Sequence, residues 1–224
     1  MELLRHAYTN RTGRDGAVVV KSYRGPDAAR RRSREETVLR ALNGLLPVPA
    51  IIGADESALS MEFLGGEHGQ DLLRRGWAAQ VLQACGHTLR RIHAIDVTTV
   101  FGHEPTPPGT VLVHGDYGPN NLLLDPDTLA VTAVLDWEWA HLGDPLEDLA
   151  WCEWIIRSYH VEHIDALDGF FTVYGSRPAW PLRHRQMVAQ ARALVNFTER
   201  WEHVDADRVQ SRRRQLAATE AWTE

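Results

Sequence analysis

One stretch constrains this chain more than any other: Val111 to Trp137, VLVHGDYGPNNLLLDPDTLAVTAVLDW. An apolar run, Val111-Leu112-Val113, delivers His114-Gly115-Asp116 at its end, and Asn121 follows five residues after Asp116. A second apolar run, Ala130 to Leu135, ends in Asp136. Three oxygen-bearing side chains therefore stand at the exits of two predicted strands. Magnesium takes hard oxygen ligands and uses one or two carboxylates beside a substrate's own phosphates. Phosphoryl transfer needs a further carboxylate to orient the attacking hydroxyl and accept its proton. The pattern supplies oxygen groups of both kinds.

The spacing HxDxxxxN, then an apolar strand and Asp, matches the catalytic loop and metal-binding aspartate of eukaryotic-type kinases. HGDYGPNN followed by VLDWEWAHLGDPLEDLAW closely resembles the aminoglycoside phosphotransferase family, which carries HGD where protein kinases carry HRD. The resemblance covers nearly the whole chain and is strongest from Val111 to Trp151. It implies an α+β, bilobal, protein-kinase-like fold, with a small antiparallel-sheet lobe over residues 1–64 and a mostly helical lobe over 65–224. It also implies ATP and Mg2+ as cofactors, a small-molecule hydroxyl as acceptor, and transfer of the γ-phosphate to that hydroxyl. Asp116 would be the catalytic base, and Asn121 and Asp136 the metal ligands.

Charge is unevenly spread. Residues 1–40 carry ten basic and five acidic side chains, whereas 111–170 carry twelve acidic groups and a single arginine, Arg157. A basic first part suits a polyanionic nucleotide, and an acidic second part suits metal and a cationic acceptor such as an aminoglycoside or another cationic alcohol. The net charge of −6 argues against a nucleic-acid partner. No run approaches the ~20 apolar residues of a membrane span, and the Met1 end lacks a signal-peptide pattern. Two cysteines, Cys85 and Cys152, make no disulfide framework, which points to the cytoplasm.

Of 24 basic residues only one is lysine, Lys21, and it lies in the apolar run Val18-Val19-Val20-Lys21. A strand-borne ammonium resembles the kinase lysine that holds the α and β phosphates and pairs with a helix glutamate. Glu2 to Tyr8 and Ala17 to Tyr23 read as strands joined by a turn over Arg11–Gly16, with no GxGxxG between them. Asn10 sits where the family carries small polar phosphate-loop residues. Gly25-Pro26-Asp27 starts a helix running to about Leu42. Glu35 precedes Val38 and Leu39 by three and four residues and so shares their inward stripe. In the family's REAxxLRxL pattern, here Arg34 to Leu42, Glu35 is the partner of Lys21. Arg30, Arg31, Arg32 and Arg34 read as the solvated face of that helix.

Ala50–Ala54 and Ala58–Leu64 look like a further strand pair. Met61-Glu62-Phe63-Leu64-Gly65-Gly66 resembles the family's connection between lobes, where main-chain groups of Glu62 and Leu64 would meet adenine. An amphipathic helix from Trp77 to about His93 carries Cys85 on its apolar stripe, as a core residue. A helix from Gly143-Asp144-Pro145 to Tyr159 carries Asp148, read as structural, and Trp151 and Trp154, read as packing residues with an aromatic substrate wall as the alternative. Helices over Arg183–Trp201 and Asp205–Trp222 close the chain.

Other chemistries fare worse. A P-loop needs GK followed by Ser or Thr, but the lone lysine follows Val20. No GxSxG elbow is present. His160 and His163 have no HExxH or cysteine pairing to make a zinc site. Two alternatives stay open: a nucleotide-binding regulator without catalysis on the same scaffold, and a metal-dependent hydrolase built on the aspartates. In the second, Lys21 and Glu35 would have no purpose.

Overall fold

The computed structural model describes residues 2–4, 9–102, 106–202 and 205–224. The chain opens with β1 (Glu2–Leu3), β2 (Arg11–Asp15) and β3 (Val18–Ser22), followed by helix α1 (Ala28–Leu42) and then β4 (Ile51–Ala54) and β5 (Ala58–Glu62). These strands form one antiparallel sheet in the order β1-β2-β3-β5-β4. The expected turn over Arg11–Gly16 is instead strand β2, with Arg11 opposite Ser22 and Asp15 opposite Val18. The turn has only two residues, Gly16-Ala17, with Gly16 at φ 60. Gly16 at the first turn position is a hairpin signal, because glycine takes positive φ without steric cost. The first predicted strand, Glu2 to Tyr8, falls partly on residues 5–8, outside the described set; its described part is β1.

Side chains alternate along a strand, so Val19 and Lys21 of β3 share the sheet face that looks onto α1. Residues Arg31, Glu35, Val38, Leu39 and Leu42 of α1 are all buried. Their spacing of four, three, one and three residues is one helical stripe. Full burial of each apolar member stabilises by about 1.5–3 kcal/mol. The stripe packs on the sheet and on a 3-10 turn, Trp137–Trp139, far along the chain.

Beyond Glu62 come β6 (Glu67–His68), α2 (Gly69–Arg74), α3 (Ala78–His93) and α4 (Thr98–Phe101). Next are β7 (Val111–Val113), β8 (Leu122–Leu124), β9 (Val131–Val134) and β10 (His141–Gly143). They make two small antiparallel sheets, β10-β7 and β6-β8-β9. Strand β8 has no period-two pattern: Leu122, Leu123 and Leu124 are all buried. Helices α5 (Leu146–Tyr159), α6 (Leu167–Tyr174), α7 (Trp180–Glu199) and α8 (Ala206–Glu220) complete the chain. Pro181 lies in the first turn of α7, where its missing N–H costs nothing. Cys85 is fully buried in the main core, as its stripe predicts. No helix among the described residues is long and apolar enough to cross a membrane.

Candidate active site in the cleft below the five-stranded sheet

Strand β7 leads into His114-Gly115-Asp116, and the loop is held from two sides. His114 is fully buried, and its Nε2 lies 2.9 Å from the carbonyl oxygen of Leu135, just before Asp136. Burial holds its imidazole pKa below the ordinary value. From α5, the buried Asp148 carboxylate accepts the main-chain N–H groups of His114, at 2.7 Å, and Gly115, at 2.9 Å. His93 Nε2 stands 3.1 Å from the same carboxylate. Burial pushes the Asp148 pKa up, but His93 and these donors outweigh it and hold it below the ordinary range. Asp148 is thus a structural anchor of the loop. Gly115 has φ +83, and a Cβ there would lie 2.6 Å from the carbonyl oxygen of Trp139. Position 115 therefore admits no side chain.

Asp116 opens onto the cleft with both carboxylate oxygens engaged. Trp151 Nε1 donates to Oδ1 at 2.6 Å, and Asn121 Nδ2 donates to Oδ2 at 3.0 Å. The same Asn121 nitrogen donates to the main-chain oxygen of Asp116 at 2.8 Å. Burial, then the negative charge of Asp136, raise the Asp116 pKa to about 7 against the lowering effect of both hydrogen bonds.

Above this loop Lys21 Nζ lies 2.5 Å from Glu35 Oε2, 2.6 Å from Asp136 Oδ1 and 3.6 Å from Glu138 Oε2. Burial alone would lower the ammonium pKa, but Asp136, Glu35 and Glu138 together hold it well above the ordinary value. Glu35 also accepts from the Tyr23 hydroxyl at 2.5 Å and from the Trp137 main-chain N–H at 3.2 Å. Asp136 takes φ 67, a left-handed conformation that aspartate tolerates better than most residues.

Arg31 corrects the expectation of a solvated arginine face. It is 2% exposed, and its guanidinium donates to Glu138 at 2.8 Å, to Asn10 Oδ1 at 3.2 Å, to the Pro26 carbonyl at 3.1 Å and to the Arg24 carbonyl. Trp139 and Phe197 cover it, with ring centroids 5.5 and 5.7 Å away. Position 31 lies one turn before Glu35 on the buried stripe, and that spacing was the available signal. Asn10 Nδ2 donates to Glu138 at 2.6 Å, so its amide belongs to the same network. Burial, followed by the charge of Asp136, raises the Glu138 pKa to about 7.

All eight residues singled out in the sequence, Asn10, Lys21, Glu35, Glu62, Leu64, Asp116, Asn121 and Asp136, border one cleft of 590 Å³. Val19, Leu39, Met61 and Phe63 give it an apolar end. There the Glu62 and Phe63 main-chain N–H groups serve the sheet, bonded to the carbonyls of Ala50 and Ala17. Glu138, Arg31 and Trp151 are the residues that sequence reasoning did not place at the site.

Several acidic groups of the second part are engaged by partners within the chain. Glu138 pairs with Arg31, Glu153 with Arg157 and Arg183, Glu147 with His141, and Asp148 with the loop. Asp125 caps its own turn at Thr128. The charge count therefore says little about the acceptor.

Residues 4–105 and 103–185 match the model of the phosphotransferase enzyme family. A curated relative, acyl-CoA dehydrogenase family member 10 of Mus musculus, is 33% identical over 121 residues, which is 53% of this chain. The matching stretch is 11% of that protein's length, so the chain spans a small part of it. Among solved structures, the GDP complex of aminoglycoside 2'-phosphotransferase-IIIa has a TM-score of 0.74 at 14% identity, covering 98% of this chain and 92% of that one. The macrolide 2'-phosphotransferase MphH from Brachybacterium faecium has a TM-score of 0.61 at 20% identity, covering 100% and 92%. An aminoglycoside phosphotransferase from Streptomyces rimosus, in complex with ADP and streptomycin, has a TM-score of 0.63 at 20% identity, covering 83% and 90%. The structural likenesses extend the fold, a small antiparallel-sheet lobe with a helical portion, over the whole chain, and the family match makes the chain a member of the phosphotransferase enzyme family.

Proposed function

We propose that this chain transfers the γ-phosphate of ATP to a hydroxyl group of a small molecule. The observation that carries the reading is the convergence of Lys21, Glu35, Asp136, Asn121 and Asp116 on one cleft with an apolar end. Adenine would lie at that end, against the Glu62 carbonyl and the Leu64 N–H. Lys21, held by Glu35, would bind the α and β phosphates. Asn10 would act by supporting this wall, since its amide is bonded to Glu138 and Arg31.

The residues fit magnesium. Asn121 spends its donor nitrogen on Asp116, which leaves its amide oxygen as a ligand, and Asp136 keeps one carboxylate oxygen beyond the one that meets Lys21. Both are hard donors of the kind Mg2+ prefers. Asn121 and Asp136 would hold the ion, which would supply positive charge against the negative charge that develops on the transferred phosphate. Asp116 would orient the acceptor hydroxyl and take its proton as the new oxygen–phosphorus bond forms and the bond to the leaving ADP breaks. Positioning and charge neutralisation carry most of the rate in such a loose transition state. A metal-dependent hydrolase would give the Lys21–Glu35 pair nothing to hold. Cys85 and Cys152 are free and buried, which agrees with the cytoplasm as the working compartment.

The test is ADP release from magnesium-ATP across a panel of hydroxyl compounds, aminoglycosides first, with Asp116→Asn alongside. Acceptor-dependent release should fall by about 10²–10⁴ in the variant while nucleotide binding persists. Nucleotide binding with no acceptor-dependent release from the parent would favour the regulator instead.

A further inference from the structure

We infer that Trp151 is a positioning residue for Asp116, fixing the plane of the carboxylate that receives the acceptor's proton. The inference rests on the phosphotransferase reading and names a residue that neither the motif nor the spacing assigns. Helix α5 carries Asp148 and Trp151 three residues apart, hence on one face. Asp148 grips the main chain of the loop through the N–H groups of His114 and Gly115. One turn later, Trp151 grips the side chain through its indole N–H, 2.6 Å from Asp116 Oδ1. A single helix thereby sets both the backbone and the rotamer of the base.

The indole can hold this position because it is itself immobilised. Its ring stacks on Trp154 with centroids 4.5 Å apart and planes 8° from parallel. Trp154 is 1% exposed, and its Nε1 donates to Thr219 Oγ1 of α8 at 2.9 Å. Tyr159 closes the far side edge-on at 5.8 Å. The stack therefore runs from the C-terminal helix to the loop.

The chemistry of the donor matters too. An indole N–H donates only, so it cannot take the acceptor's proton in place of the carboxylate. With Trp151 on Oδ1 and Asn121 on Oδ2, the carboxylate is tied at both ends and cannot rotate away from the cleft. A misplacement of about 1 Å in a reacting group costs up to about a hundredfold in rate.

Trp151→Phe keeps a ring on Trp154 and deletes the donor. With an acceptor identified from the panel, its kcat should fall by about tenfold to a hundredfold with KM for ATP within about twofold of the parent. A purely structural role for Trp151 would lower stability and nucleotide affinity together without that split. A second measurement needs no acceptor. The eight tryptophans give eight indole N–H signals in a nitrogen–proton correlation spectrum, and Trp151→Phe identifies the one that disappears. In Asp116→Ala that signal should shift and lose protection from solvent exchange, while the Trp154 signal keeps its protection. Parental kcat in Trp151→Phe, or a Trp151 signal indifferent to Asp116→Ala, would overturn the inference. If the parent itself transfers phosphate to no acceptor, the phosphotransferase reading falls, and the indole spectrum still decides whether the two side chains are joined.

Discussion

Lys21 Nζ bridges two carboxylates that reach it from opposite parts of the chain, Glu35 Oε2 at 2.5 Å and Asp136 Oδ1 at 2.6 Å. The ammonium therefore joins helix α1 to the exit of β9, and it neutralises charge that burial would otherwise make costly. Lys21→Met should abolish phosphate transfer and also destabilise the fold, because Glu35, Asp136 and Glu138 offer ligand atoms within 4.8 Å of one another. Removing one partner of a buried pair costs about 3–5 kcal/mol. Added Mg2+ should then raise the melting temperature of the variant more than that of the parent, since a cation that binds only the folded state stabilises it. Equal shifts in a thermal scan would show that the three carboxylates do not act as a unit.

Position 115 should be nearly intolerant. Gly115→Ala places a methyl group 2.6 Å from the Trp139 carbonyl oxygen at φ +83. The left-handed backbone alone costs an alanine about 1–2 kcal/mol, and the clash adds about 1–3 kcal/mol. Urea denaturation should show a loss of about 2–5 kcal/mol with an unchanged m-value. An alanine variant of parental stability would mean that the loop can turn without the left-handed conformation.

Arg31 and Glu138 form a buried pair whose members should depend on one another. Arg31→Met alone leaves Glu138 without the guanidinium 2.8 Å away, with only Lys21 at 3.6 Å as countercharge, and should cost about 3–5 kcal/mol. Adding Glu138→Gln should recover a large part of that loss, since a neutral amide still accepts from Asn10 and no longer needs the guanidinium. A double-mutant cycle by chemical denaturation measures the coupling. Strict additivity would contradict the pairing.

The His141–Glu147 pair gives a pH signature away from the cleft. The hydrogen bond that the His141 ring donates to the Glu147 carboxylate raises the His141 pKa above its ordinary 6.5, and the same bond lowers the Glu147 pKa below 4.5. A raised histidine stabilises below its unfolded pKa and loses that contribution as pH rises through the folded value. A depressed carboxylate stabilises above its unfolded pKa and loses that contribution as pH falls through the folded value. The pair is thus at full strength between pH 4.5 and 6.5 and weakens on either side. Both side chains are part-exposed, so the effect is at most about 1 kcal/mol. Glu147→Gln should lower the melting temperature most in that window and least above neutral pH.

Much of this site was legible before any coordinates. His114, Asp116, Asn121 and Asp136 sit at distances along the chain that two short strands and a tight loop can satisfy, and one lysine among 24 basic residues singled itself out. Glu35 shares a helical stripe with Val38 and Leu39, but it was the family resemblance that named it the partner of Lys21. Strand β2 was misread because Arg11–Asp15 is polar and lies one strand in from the edge, where pairing with β3, not hydrophobic alternation, makes it extended.

The inward arginine of α1 had only its spacing from Glu35 as a signal, and nothing local named its partner. Four arginines within five positions look alike locally, and what buries Arg31 is Glu138, 107 residues away. Trp151 is similar: its place on α5 was readable, but the bond to Asp116 depends on how α5 lies across the loop.

Motif spacing and periodicity are local properties of the chain, so they suffice to name the candidate groups and the element that each occupies. How the charges pair, and which side chains hold those candidate groups in place, is settled only by tertiary contacts. Those partners come from distant segments, and the energy of a buried charge depends on what surrounds it in space.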